Sequence, residues 1–300
     1  MRSYRFVTMD VFTDRHFGGN PLAVFPNAQG MSDAEMQALA AEFNLSETTF
    51  VLPPEDPVNT ARVRIFNRTA EMPFAGHPNV GTGFILADRA RDRMLRFEEL
   101  AGLVEVHLDS DAAGVVVGAT VAAPQPLHIG VELPIDLTAA CAGIELDGIV
   151  TTSHLPTIAA DGGNPRLLME VTAAAMAAAT PDLAAFRHAV AVTPALGGKL
   201  SLYLYRREGA GLRTRMFSPL SGTWEDAATG SAATPLAGFL LHLSGTESAT
   251  WDIVQGVEMG RPSLMRTTAR RTPDGIRTTV GGSCVVMLRG EVLLPEITVL

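Results

Sequence analysis

Four features in the first half of this 300-residue chain return in the second half in the same order, so the fold has to be built from two copies of one unit. GGNP at Gly18 to Pro21 recurs at Gly162 to Pro165, an offset of 144, and each copy feeds an apolar run: LAVF in the first, LLMEV after one arginine in the second. Two helix starts follow. Ser32 to Glu35 is a capping box leading into Met36, Leu39, Ala40 and Phe43 on one face, and Thr180-Pro181-Asp182 opens the other with proline expected at the first helical position. An R-x-R-x-F strand then occurs at Arg62, Arg64 and Phe66 and again at Arg213, Arg215 and Phe217, an offset of 151. Last, a glutamate, four residues and a glycine precede a small-residue helix: Glu71 to Gly76 ahead of GFIL, and Glu225 to Gly230 ahead of GFLL, an offset of 154. Offsets that climb steadily are what loop insertions produce.

Between these landmarks, short alternating stretches predominate, at Tyr4 to Phe12, Ala61 to Phe66, Val104 to Leu108, Leu200 to Tyr205, and a hairpin from Leu264 to Val280 turning at Pro273-Asp274-Gly275. The class expected is α+β, with mainly antiparallel sheets wrapped around a few helices. The longest unbroken apolar run, Ala173 to Ala179, is far too short to span a bilayer, and the N-terminus lacks a secretory pattern, so no membrane partner and a cytoplasmic location are expected. Lys and Arg number 23 against 32 Asp and Glu, and the resulting net charge of −9 argues against nucleic acid as a partner. Cys141 and Cys284 sit in no zinc or disulfide pattern.

The chemistry concentrates at the two repeated helix starts, Ala75-Gly76-His77-Pro78 and Thr229-Gly230-Ser231-Ala232. Unpaired N–H groups and the helix dipole favour an anion there, glycine admits a ligand close to the backbone, and Pro78 loses nothing by lacking an N–H in the first turn. His77 and Ser231 occupy equivalent positions, either as site residues or as ordinary helix-start residues. Asp226 stands where the first copy has Met72, which marks either a divergent task or an exposed loop carboxylate. Glu47, between an amphipathic helix and the strand Phe50-Val51-Leu52, has its counterpart near Gly197-Gly198-Lys199, where no carboxylate occurs. One acid without a symmetric mate suits a single carboxyl that both gives and takes protons, although solvated glutamates are common. No dinucleotide fingerprint, phosphate loop or HExxH is present, so no cofactor is expected.

DVFTDRHFGGNPLAVF, LSETTF, RIFNRTAEMPFAGHP, EDAATGSAATPLAGFL and QGVEMGRPS together resemble the motif series of PhzF-like phenazine-biosynthesis proteins, in order from Asp10 to Ser263. The resemblance implies the diaminopimelate epimerase-like fold: two pseudo-symmetric domains, each a β-barrel-like, mainly antiparallel sheet around a central helix, with the site in the cleft between them. Domains at 1–118 plus 283–300 and at 119–282 are expected from it, together with a homodimer. Racemases of this fold place cysteines just before the two helix-start glycines; here those positions hold Ala75 and Thr229, neither of which can do a thiol's work. The resemblance implies instead a cofactor-independent isomerase in which Glu47 moves a proton between carbons of a small, cyclic carboxylate, with Asp226, His77 and Ser231 completing the catalytic set. Gly76, Gly230, Asn20, Pro78 and Thr229 are the expected substrate-binding residues. The departure Asn79-Val80 after GHP bears on substrate contacts, and Phe17, Phe74 and Trp224 are candidates to line the pocket, core packing being the simpler expectation for the phenylalanines. Competing readings are an amino-acid or hydroxy-acid epimerase with non-cysteine bases, and a non-catalytic metabolite-binding homodimer.

Overall fold

A computed structural model describes residues 1–162 and 164–296. Gly163, in the middle of the second GGNP, lies outside the described residues, as do the last four residues of the expected 283–300 segment. Two compact units divide the chain: Met1–Ala122 with the segment from Gly281 onward, and Ala123–Val280.

The first unit carries β1 (Arg2–Val11), β2 (Asn20–Phe25), α1 (Asp33–Phe43), β3 (Glu47–Leu52), β4 (Ala61–Phe66), β5 (Glu71–Met72), α2 (Gly76–Ile85), β6 (Met94–Glu99), β7 (Gly102–Ser110) and β8 (Val116–Ala122). β1 runs antiparallel to β2, and β2 runs parallel to β3 with Leu22 opposite Glu47. β4 is antiparallel to β3 and β5 and parallel to β6, after which β6, β7 and β8 form an antiparallel ladder. α2 packs against β1, β2, β3, β7 and β8, and Gly76 through Gly83 are all buried. Its small residues are what allow this enclosure: a Cβ on Gly81 would stand 2.5 Å from Leu22 Cδ2 and 2.8 Å from Met9 Sδ. α1 has the expected capping box, with Ser32 Oγ accepting from Glu35 N and the Glu35 carboxylate accepting from Ser32 N at 2.8 Å. It lays Met36, Leu39 and Ala40 over a core containing Phe25, Phe50 and Phe66.

The second unit carries β9 (His128–Glu132), α3 (Ile135–Ala142), β10 (Thr157–Ala160), β11 (Arg166–Glu170), α4 (Ala173–Ala178), α5 (Leu183–Val192), β12 (Leu202–Glu208), β13 (Gly211–Ser218), β14 (Thr223–Asp226), α6 (Gly230–Ser244), β15 (Ser248–Gln255) and β16 (Ser263–Thr272). Its ladder repeats the first: β10 antiparallel to β11, β11 parallel to β12, β13 antiparallel to β12 and β14 and parallel to β15, and β15 antiparallel to β16. α6 packs against β10, β11, β15 and β16, with nearly every residue from Gly230 to Leu241 buried. The duplication is therefore one of strand order and direction as well as of motifs. A final strand, β17 (Gly275–Leu294), follows the expected turn and pairs with β1 through Tyr4 opposite Val292. Among the described residues no helix is long and apolar enough to cross a membrane.

Three expectations are corrected. Pro181 is not the first helical residue: α5 begins at Leu183, because the Asp182 carboxylate accepts from Ala184 N and Ala185 N and so takes the cap. The counterpart of Glu47 is Leu202 rather than the Gly197 region, since β12 starts opposite Leu167 as β3 starts opposite Leu22. Phe74 is buried as expected of a core residue, but Phe17 is 71% exposed, at a positive φ of 67° on the turn before β2.

Candidate active site

In the first unit the site begins with the GGNP turn. Gly19 has φ +61°, and a Cβ there would lie 2.3 Å from Val11 O, so only glycine allows the chain to double back so closely. Asp10, buried on β1, accepts from Phe17 N at 2.8 Å and ties down the same turn. Asn20 then starts β2, buried, and its Oδ1 accepts from Ser46 Oγ at 3.0 Å. That contact and the parallel pairing hold the LSET segment so that Glu47 opens β3 half-buried. His77 Nε2 comes within 3.5 Å of Glu47 Oε2, with the imidazole 6% exposed and the carboxyl 19%. The distance is at the edge of hydrogen-bond reach, as pairs that tighten around a ligand often are.

His77 owes its place to α2, whose first turn is Gly76-His77-Pro78 and whose N-cap, Ala75, supplies no side-chain cap. α6 starts the same way at Gly230 and Ser231 with Thr229 as N-cap. Here the threonine hydroxyl is diverted: Thr229 Oγ1 donates to Asp226 Oδ2 at 2.5 Å and accepts from Gln255 Nε2 at 3.0 Å. Gln255, fully buried at the end of β15, also donates to Asp226 O and accepts from Thr229 N and Tyr203 OH. It locks the Asp226–Thr229 loop from below. Arg166, the first residue of β11, donates from Nη2 to Ser231 Oγ at 2.9 Å.

The repeated R-x-R-x-F and glutamate motifs prove to be one device. Arg64 makes a two-pronged fork to Glu71 at 2.7 and 2.6 Å, and Arg215 makes the same fork to Glu225 at 2.8 and 2.9 Å. Each guanidinium also lies over the phenylalanine two residues on, 5.1 Å from the Phe66 ring centre and 4.9 Å from that of Phe217. Since each glutamate stands five residues before a helix-start glycine, the forks fasten both helix-start loops to the sheet.

Of the expected residues, Glu47, His77, Asn20, Gly76 and Pro78 gather where β2, β3 and α2 begin in the first unit, and Asp226, Thr229, Gly230 and Ser231 gather at the start of α6 in the second. Met72 and Asp226 hold equivalent ladder positions, opposite Ile65 and Met216, so the carboxylate is a divergence specific to the second copy. Trp224, two residues before Asp226, is 53% exposed. Sequence reasoning missed Arg166 and Gln255. The signals were there, as the one extra residue after the second GGNP and as the first letter of QGVEMGRPS.

A family model for phenazine biosynthesis-like proteins matches residues 9–290. Trans-2,3-dihydro-3-hydroxyanthranilate isomerase of Pseudomonas chlororaphis is 35% identical over 297 residues, covering 97% of this chain and 100% of that protein. Among solved structures, a PhzF-family phenazine biosynthesis protein from Bacillus anthracis superposes with a TM-score of 0.87 at 21% identity, covering 98% of this chain and 100% of that one. A probable proline racemase from Agrobacterium radiobacter gives a TM-score of 0.63 at 13% identity, covering 98% and 94%, a likeness of fold.

Proposed function

Because the chain belongs to the phenazine biosynthesis-like protein family and is an isomerase, we propose that it moves a proton between two carbons of a small, cyclic, carboxylate-bearing substrate, with Glu47 as both acid and base. The carboxyl gives its proton to one carbon and the resulting carboxylate takes one from another, so a double bond migrates and Glu47 ends each turnover as it began. The observation that carries this reading is the contact between half-buried Glu47 and buried His77 at 3.5 Å. An imidazole stabilises the carboxylate when it donates and the acid when it accepts, which lets one residue serve in both protonation states. Ala75 and Thr229, at the two N-caps, offer no thiol for two-base racemisation.

In the same reading the helix-start amides, of Gly76 in the first unit and of Gly230 in the second, and the hydroxyl of Ser231 suit a substrate carboxylate, while Asp226 and His77 suit amino and hydroxyl groups. Asn20, Pro78 and Thr229 shape that setting. The two compact units correspond to the two epimerase-like domains, and the protein works as a homodimer without a cofactor. Proton NMR in D2O tests the central claim, with trans-2,3-dihydro-3-hydroxyanthranilate and a panel of amino and hydroxy acids as substrates for wild type and Glu47→Gln. Deuterium should enter a ring carbon with wild type and not with the variant. Equal exchange by both proteins, or exchange only at the stereocentre of an amino or hydroxy acid, overturns it.

A further inference from the structure

We infer that Arg166 is a positioning residue that fixes the Ser231 hydroxyl as a hydrogen-bond donor, so that the start of α6 is committed to an oxygen acceptor such as a substrate carboxylate. The inference rests on the proposed role of Ser231 in substrate binding. Arg166 Nη2 donates to Ser231 Oγ at 2.9 Å. A guanidinium has donors and no acceptor, so the serine proton cannot be returned along that bond. One of the two lone pairs on the hydroxyl oxygen is engaged by the guanidinium, and the O–H is directed elsewhere. A ligand meeting it therefore meets a donor, polarised by a cation, beside the open amides of a helix start.

The burial of Arg166 gives this contact weight. The residue is only 8% exposed, and a guanidinium is not withdrawn from water without compensation. Desolvation pushes the nearby buried Asp161 carboxyl up to about 6, against the lowering by hydrogen bonds from Thr234 and Thr278 and, least of these, by the Arg166 charge. Asp161 is in turn held by Thr278 Oγ1 at 2.9 Å, so the Arg166 environment is built from several elements of the second unit.

The duplication supplies an internal control. In the first copy GGNP runs directly into LAVF, while in the second an additional residue precedes LLMEV, and that residue is Arg166. Where the first copy sets His77 against Glu47, the second sets Ser231 against Arg166. One helix start has been given an acid for proton transfer and the other a cation for anion recognition.

The test is a binding cycle by isothermal titration with 3-hydroxyanthranilate, a stable aromatic carboxylate, and 2-aminophenol, which lacks the carboxylate. Wild type, Arg166→Met, Arg166→Lys, Ser231→Ala and the two double variants are compared. A hydrogen bond involving a charged group corresponds to about 10- to 100-fold in Kd, and Arg166→Met should weaken 3-hydroxyanthranilate binding by that order while leaving 2-aminophenol little changed. In the Ser231→Ala background the same substitution should have little further effect, which a merely structural arginine would not produce. If Arg166→Met does not fold, Arg166→Lys carries the same comparison, keeping the charge and losing the planar fork, with a smaller loss that again vanishes in the Ser231→Ala background. Equal losses with and without Ser231, or equal losses for both ligands, overturn the inference. Indifference of 3-hydroxyanthranilate binding to Ser231→Ala, or failure of wild type to bind it, overturns the underlying reading of the site and the inference with it.

Discussion

Replacing Glu99 by glutamine should remove a large part of the pH dependence of folding stability. Glu99 ends β6, and both of its carboxyl oxygens are enclosed without a hydrogen-bond partner at bonding distance among the described residues. Burial pushes its pKa up from the ordinary 4.5 to about 8, partly offset by the nearby Asn79 amide in the first turn of α2. The folded state thus prefers the protonated acid. Its contribution is fully present below pH 4.5, declines as pH rises, and is lost once pH passes the folded value near 8. Each pH unit between these limits costs about 1.4 kcal/mol, so from pH 5 to pH 9 the wild type loses about 4 kcal/mol from this group. Glutamine has nearly the same shape, does not titrate, and brings an NH2 that can donate to Asn79 Oδ1, which itself lacks a partner among the described residues. Urea unfolding of both proteins at intervals from pH 5 to pH 9 isolates the effect, because every other group titrates alike in the two. The variant should gain on the wild type as pH rises, by about 4 kcal/mol at the alkaline end. A difference that stays flat within about 1 kcal/mol would refute the assignment of Glu99 as a buried, protonated acid.

The two arginine forks should differ in strength. Arg215 is the more enclosed and also donates to Met176 O and Ala179 O at 2.9 and 2.8 Å, so Arg215→Met leaves Glu225 stranded and should destabilise by about 3–5 kcal/mol in urea unfolding, more than Arg64→Met. Gly81→Ala adds a methyl group into contact with Leu22 and Met9, and a loss of about 1–3 kcal/mol is expected by the same measurement, with an unchanged stability showing that α2 is less tightly enclosed than its contacts require.

What sequence reasoning could reach here was local or repeated. The capping box at Ser32, the strand Ala61–Phe66, the turn at Pro273-Asp274 and the helix starts at Gly76 and Gly230 depend on residues a few positions apart, and their chemistry is the same wherever the chain goes next. The duplication was legible for a related reason: two copies must satisfy the same packing, so Gly76 and Gly230, or Arg64 and Arg215, stay recognisable after the loops between them have changed length. Side-chain partnership was not legible, because it is decided by strand register across tens of residues. Nothing near Arg166 in the chain points to Ser231, 65 positions away, and nothing near Gln255 points to Thr229; β11 and β15 bring them to the start of α6. The repeated arginine and glutamate were each visible, but that they grip one another follows only from the antiparallel return of β5 on β4 and of β14 on β13. Exposure likewise belongs to tertiary structure: Phe17 and Phe74 are the same residue type beside similar motifs, yet one is held outward on a left-handed turn and the other is packed away, since burial depends on what the rest of the chain places over each ring.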